Sequence, residues 1–195
     1  AFDLDACRFT WGFHLQRKHD KWTGYVFNPD SDAGPAAVND FHINMVHVEN
    51  SGIYLSGLRT GAMLHLNDQW QVREVCSLAR GAHNAQPWND GIIFNDTGSD
   101  CVRYVKRDGI EQAYAARVYP DSDISFSGVD DTRVARQGFC RGLTTYAGRF
   151  IVAGSSPSTI TLLDTQSRQW VSSVNLSMDI RNAIHGLEVW PYDTV

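Results

Sequence analysis

The sequence lacks a helical signature: no window of eleven or more residues carries an apolar stripe at i, i+3, i+4 and i+7 behind a capping residue. It also lacks any apolar run approaching the roughly 18 residues that would span a bilayer, so no membrane insertion is expected. Positive charge is sparse and dispersed. Seventeen Lys and Arg are scattered along a chain of formal net charge −5, leaving no basic stripe for a phosphate backbone and no expectation of nucleic acid as a partner. The four cysteines, Cys7, Cys76, Cys101 and Cys140, stand alone, without the CxxC spacing that binds zinc or shuttles electrons. They read as small buried hydrophobes, and a reducing compartment such as the cytoplasm is the simplest setting for them. The opening residue is Ala1 rather than Met, which leaves room for a removed leader or preceding segment. No Gly-rich phosphate loop, nucleophile elbow or paired His–Glu helix motif occurs, so no reaction is announced by a local motif.

What is present is aromatic and repetitive. Nine Phe, seven Tyr and six Trp within a 43% hydrophobic composition supply a core, and 195 residues fit one all-β domain. Residues 53–66, 92–105 and 150–163 share one outline without a gap. Each opens on an apolar run, passes through small and polar residues, and closes on a second apolar run, the pattern of two antiparallel strands joined by a tight turn. A polar box precedes each: His42-Ile43-Asn44, His83-Asn84 and Arg141-Gly142, with a fourth, His185-Gly186, near the C-terminus. The boxes recur at intervals of 41, 58 and 44 residues. With flanking strands near 43–48 and 70–75 in the first unit, and counterparts in the others, each unit holds four antiparallel strands. That is a blade of a β-propeller; a single sandwich does not predict gapless echoes.

The expected organisation is a single all-β propeller domain over 1–195, with blades at 41–80, 81–120 and 138–180. Residues 1–40 and 181–195 would close the ring. Residues 8–16 and 22–28 read as a hairpin, with Phe9, Trp11, Phe13 and Leu15 on one buried face. Together with Leu187-Glu188-Val189-Trp190 as inner strand, this hairpin would make a fourth blade. The alternative is a fragment of a larger ring, completed by a missing segment or another chain. Residues 120–137 account for the longest interval and are polar; a loop of this length is expected to partly cover the channel mouth.

At the boxes the chain resembles a family of bacterial β-propeller proteins of uncharacterised function. Phe41-His42-Ile43-Asn44 resembles its HIN box, residues 81–98 (GAHNAQPWNDGIIFNDTG) its PHSP-to-DSGTG segment, and residues 138–143 (GFCRGL) its GFTRGL box. The resemblance covers about residues 41–195. It departs where Pro is absent ahead of His83 and where Asn84 replaces a small hydroxyl residue. It implies a propeller and brings no activity with it.

In a propeller the innermost strands run along the central channel, so equivalent positions in successive blades come to one ring around the axis. His42, His83, Arg141 and His185 hold that position and are the residues expected to carry any catalysis. Three imidazoles and a guanidinium at one tunnel mouth suit an anionic ligand, proton transfer or a divalent metal, the last held by His42, His83 and His185. Asn44 and Asn84 would fix imidazole tautomers through hydrogen bonds, Glu188 would reach the channel, and Arg133 or Arg136 of the long loop would face a bound anion. The competing reading is structural: polar side chains at strand starts satisfy the preceding loop and solvate the channel. Two functions follow. One is a binder of a small polar or anionic ligand, with metal-assisted lyase or hydrolase chemistry as an extension; the other is a non-catalytic interaction platform.

Overall fold

The computed structural model describes residues 1–32, 34–128 and 135–191. Three antiparallel sheets of four strands follow one another along the chain. The first comprises β5 (Ile43–Glu49), β6 (Gly52–Gly57), β7 (Ala62–Leu66) and β8 (Val72–Ser77). The second comprises β9 (Ala82–Trp88), β10 (Gly91–Asp96), β11 (Cys101–Lys106) and β12 (Glu111–Ala115). The third comprises β13 (Gly142–Tyr146), β14 (Phe150–Ser155), β15 (Thr159–Asp164) and β16 (Gln169–Asn175). Every neighbouring pair is antiparallel and sequential. The fold is a β-propeller, and the three gapless echoes are the second and third strands of successive blades. The helical content among the described residues is one 3-10 turn, Asp121–Asp123.

The middle strands read as continuous apolar runs because each blade is covered on both faces. All five residues of β7 are buried. Its Leu64, with Leu55 of β6, faces one way into a cluster with Leu15 and the half-buried Phe13 and Trp22. Met63 faces the other way, toward Ala82, Ala85 and Phe94 of the second blade. Period-two alternation therefore sorts side chains between two apolar interfaces rather than between core and solvent. Ile93, Val102, Tyr104 and Tyr114 in turn meet Leu143, Ile151 and Leu163 of the third blade. Phe94 is 4% exposed, as the register read from the repeat requires.

The N-terminal region departs from expectation. Residues 8–16 are not one strand: β1 (Phe2–Asp3) pairs with β2 (Arg8–Phe9), and a separate hairpin, β3 (Gly12–Lys18) with β4 (Lys21–Phe27), follows. At the break the Ala1 nitrogen donates to the Trp11 carbonyl at 2.6 Å and Thr10 N–H donates to the Ala1 carbonyl at 3.0 Å. Phe9 consequently packs edge-on against Phe2 and is 58% exposed, away from the face shared by Phe13 and Leu15. The β3–β4 turn places His19 and Asp20 at φ 48° and 60°, as a two-residue hairpin turn demands.

Nor do the two ends of the chain meet in one four-stranded sheet. The β3–β4 hairpin pairs only with itself and lies beside β8 against the first blade. Residues 181–190 form no strand and lie instead against the third blade. There Ile184 N–H donates to the Ser155 carbonyl at 3.4 Å. The Ile184 side chain fills the space left by Gly142 and Gly154; a Cβ at 154 would stand 2.6 Å from Ile184 Cγ2. Leu187 and Val189 alternate with Glu188 as a strand would, and the segment runs beside the edge strand β13, where Leu187 Cγ would lie 3.1 Å from a Cβ at Gly142, but it forms no ladder with it.

The first part of the long connection, residues 120–128, is pinned to the segment after the third blade. Ser125 bridges Asp179 in parallel, its N–H donating to the Met178 carbonyl at 2.9 Å, and the Arg181 guanidinium stacks 3.8 Å over the Phe126 ring.

Candidate functional site: the channel and its mouth

The inner strands β5, β9 and β13 and residues 185–188 enclose a cleft of about 610 Å³. Asn44, Asn84, Gln86, Thr144, His185 and Glu188 are among its walls. Glu188 Oε1 accepts from Thr144 Oγ1 at 3.5 Å and from the Val189 N–H at 2.8 Å.

His83 lies at the start of β9 and is 3% exposed. Its Nδ1 stands 2.9 Å from the Gly81 carbonyl and 2.9 Å from Thr97 Oγ1. The carbonyl can only accept, and the Thr97 hydroxyl donates to the Cys140 carbonyl at 2.8 Å, so Nδ1 carries the proton. Nε2 is left as a buried lone pair with no hydrogen-bond partner. Burial, then the positive charge of Arg141, push the His83 pKa down to about 4; His42 and His185 act in the same direction, while the Gly81 carbonyl opposes them. At neutral pH His83 is an uncharged acceptor.

Arg141 precedes β13. Its guanidinium lies 4.5 Å from the Phe139 ring centroid, and Nη1 donates toward His185 Nδ1 at 3.4 Å. Its Nε is buried and unpartnered, and burial lowers its pKa. His185 is lowered too, by burial first and by Arg141 second. His42 accepts through Nδ1 from Asn39 Nδ2 at 3.2 Å and holds φ at 48°. The approach of its backbone depends on Gly57, where a Cβ would stand 2.7 Å from the His42 carbonyl oxygen. Three further-apart facts thus converge: His42, Arg141 and His185 all act electrostatically on His83.

Among the described residues no three His, Cys, Asp or Glu side chains come together closely enough to hold an ion. The expectation of His42, His83 and His185 as a metal set finds no support in this arrangement. His83 is buried with Nδ1 engaged, His42 is tied to Asn39, and His185 faces a guanidinium, so the rings share a field rather than a coordination sphere.

The asparagines also differ from expectation. Asn44 Nδ2 donates to the Ala82 carbonyl at 3.1 Å and its Oδ1 accepts from the Asn84 N–H at 3.3 Å, stitching the inner strands of the first two blades together. The His83 tautomer is set by Gly81 and Thr97 instead. Arg136 is engaged: it pairs with Asp100, donates to the Thr97 carbonyl at 2.6 Å and lies over Phe139. Arg133 lies outside the described residues. Sequence reasoning missed Thr97, whose place in the β10–β11 turn brings its hydroxyl across to the third blade, and Gln86. Gln86 is 7% exposed, lines the cleft, and has an Nε2 without a partner. No sequence signal marked it, since residues three apart on a regular strand face opposite ways and only the β9–β10 bulge brings Gln86 and His83 to one side.

No protein-family model matches the chain, and no curated protein matches it. The resemblance to the bacterial propeller family therefore stands on its three short segments alone. Among solved structures the chain is similar to virginiamycin B lyase from Staphylococcus aureus, with 12% identity, 85% of this chain and 46% of that chain covered, and a TM-score of 0.48. It is also similar to BamB from Moraxella catarrhalis, with 17% identity, coverage of 83% and 48%, and a TM-score of 0.43. The computationally designed Ika4 protein matches at 12% identity, covering 82% of this chain and 84% of that one, with a TM-score of 0.48. The chain spans about half the length of the two natural proteins. No helix of the described residues is long and apolar enough to cross a membrane.

Proposed function

We propose that the chain binds a small polar or anionic ligand in its central channel, with Arg141, His83 and His185 at the end that receives an anionic group. One observation carries the reading. Of the seven buried side-chain nitrogens and oxygens without a hydrogen-bond partner among the described residues, three lie on or just before the inner strands: His83 Nε2, Gln86 Nε2 and Arg141 Nε. Buried polar atoms are costly to leave unpaired, roughly 1–3 kcal/mol each, so their recurrence at the inner strands favours a ligand that supplies the partners. The set is complementary to a group bearing both acceptors and a hydroxyl: His83 Nε2 accepts, while Gln86 and Arg141 donate.

Binding is favoured over acid–base catalysis in the free protein, because an imidazole titrating at about 4 is a weak proton acceptor near neutral pH. The lyase or hydrolase reading rests on Arg141. An anion seated beside it cancels part of the charge that depresses His83, which moves the imidazole toward the range where it exchanges protons. The chain completing the ring, whether a further segment or a second molecule, would stand between the β3–β4 hairpin and the third blade.

The test is an imidazole ¹⁵N NMR titration of the full chain with inorganic phosphate, lactate, malate and citrate. Saturable shifts of His83 Nε2 with at least one of them, lost in Arg141→Met, support the reading. Absence of any saturable shift across the four overturns it.

A further inference from the structure

We infer that a second site, separate from the channel, lies in the groove between the outer strands of the first two blades, and that it takes an extended acidic segment of a partner protein. The groove encloses about 880 Å³ between β8 and the β11–β12 hairpin. Its blade-one wall runs from Arg73 to Ala79, seven positions and so about 20 Å of strand, room for roughly six extended residues.

The groove has a cause in the sequence. The echo aligns Met63 and His65 of β7 with Val102 and Tyr104 of β11. Across the outer ladder Met63 pairs with Cys76, whereas Val102 pairs with Tyr114. In the second blade Tyr104 and Tyr114, 5% and 6% exposed, fill the space before the third blade out to the perimeter. In the first blade a thiol stands where Tyr114 stands. The wedge between blades one and two is therefore unfilled at its outer end, leaving Tyr54, Ile92 and Val105 half-buried on its floor.

Charge selects the occupant. Against a net −5 for the chain, this groove is lined by Arg73, Arg103, Lys106 and Arg107 with Glu111 as its carboxylate. Arg103 is neutralised by Asp96 and Glu111, and Lys106 pairs with Asp90 at 3.3 Å. Arg73 and Arg107 are exposed and make no ion pair among the described residues. Two free guanidiniums above an apolar floor fit carboxylates alternating with large apolar side chains, in which the guests replace the missing tyrosine. The strip is too short and too apolar at its base for a duplex backbone.

The experiment selects a random dodecapeptide display library on the immobilised full chain, then measures the enriched peptides by fluorescence anisotropy. Enrichment of Asp and Glu around Leu, Phe or Tyr is expected. Binding should weaken as salt rises, and fall by about tenfold or more in Arg73→Glu/Arg107→Glu and in Cys76→Tyr, which fills the groove. It should be unchanged in His83→Gln, so that failure of the channel reading leaves this one standing. Failure to select a binder, peptides without acidic bias, or binding indifferent to both groove variants overturns the proposal. So does a loss of anionic-vesicle or oligonucleotide binding in the same variants where no peptide binds, since the partner would then be lipid or nucleic acid.

Discussion

The two blade interfaces of this chain are built from equivalent strands and yet differ in how far outward they are packed. Between the second and third blades the core extends from Trp88 through Ile93, Ile151 and Leu163 to Tyr104 and Tyr114 at the perimeter. Between the first and second it consists of Met63, Ala82, Ala85 and Phe94, with smaller or half-buried residues beyond, and opens into the groove. The inner strands hold position in both: Asn44 crosses to Ala82 and Asn84, and Asn95 Nδ2 donates to the Gly142 carbonyl at 3.2 Å. Channel geometry is thus set by the inner strands, while the outer strands decide between packing and access.

Substitutions can break this contrast in order of expected effect. Trp88→Ala, in the filled interface, should cost about 3–5 kcal/mol in denaturant unfolding, because packed neighbours on every side prevent collapse into the void. Met63→Ala, beside the groove, should cost nearer the lower end of the roughly 2–5 kcal/mol usual for such changes, since the open side lets its neighbours relax. An equal or greater loss than at Trp88 would show the first interface to be as tightly packed as the second. Cys76→Tyr should be neutral or stabilise by about 1 kcal/mol if it fills the wedge as Tyr114 does; a marked loss would show that no such space exists.

A separate effect concerns pH. The folded pKa of His83 lies below its unfolded value, so between about 6.5 and about 4 the unfolded chain binds more protons. Stability from this group is present above that window and is lost as pH falls through it. His83→Gln should flatten the unfolding midpoint across these values relative to the parent chain; an unchanged slope would contradict the assignment.

Much of this architecture was legible in the sequence, and the reason is repetition. Three copies of one strand pair, each bounded by polar turns, leave little freedom in register, and the alternation of Ile53 and Leu55 with Tyr54 and Ser56 already assigned opposite faces. The repeat also puts His83 at the start of β9 and Arg141 just before β13, equivalent places in successive blades. The ends were less legible because they have no copies to compare: nothing in the alternation of residues 8–16 marks the break at Thr10, and residues 184–190 run beside the β13 edge without forming a ladder. The roles of Asn44 and Asn84 were misjudged because neighbouring positions on a strand face opposite ways. The groove left no motif, since a single cysteine in place of a tyrosine in an outer strand carries no periodic signal.

The most direct measurement is the ¹⁵N-detected titration of His83 in the unliganded chain, compared with Arg141→Met. The account predicts an Nδ1–H tautomer, a midpoint near 4, and a partial rise in Arg141→Met, because burial, the larger cause of the depression, remains. A midpoint near the ordinary value of about 6.5, or a proton on Nε2, would contradict it.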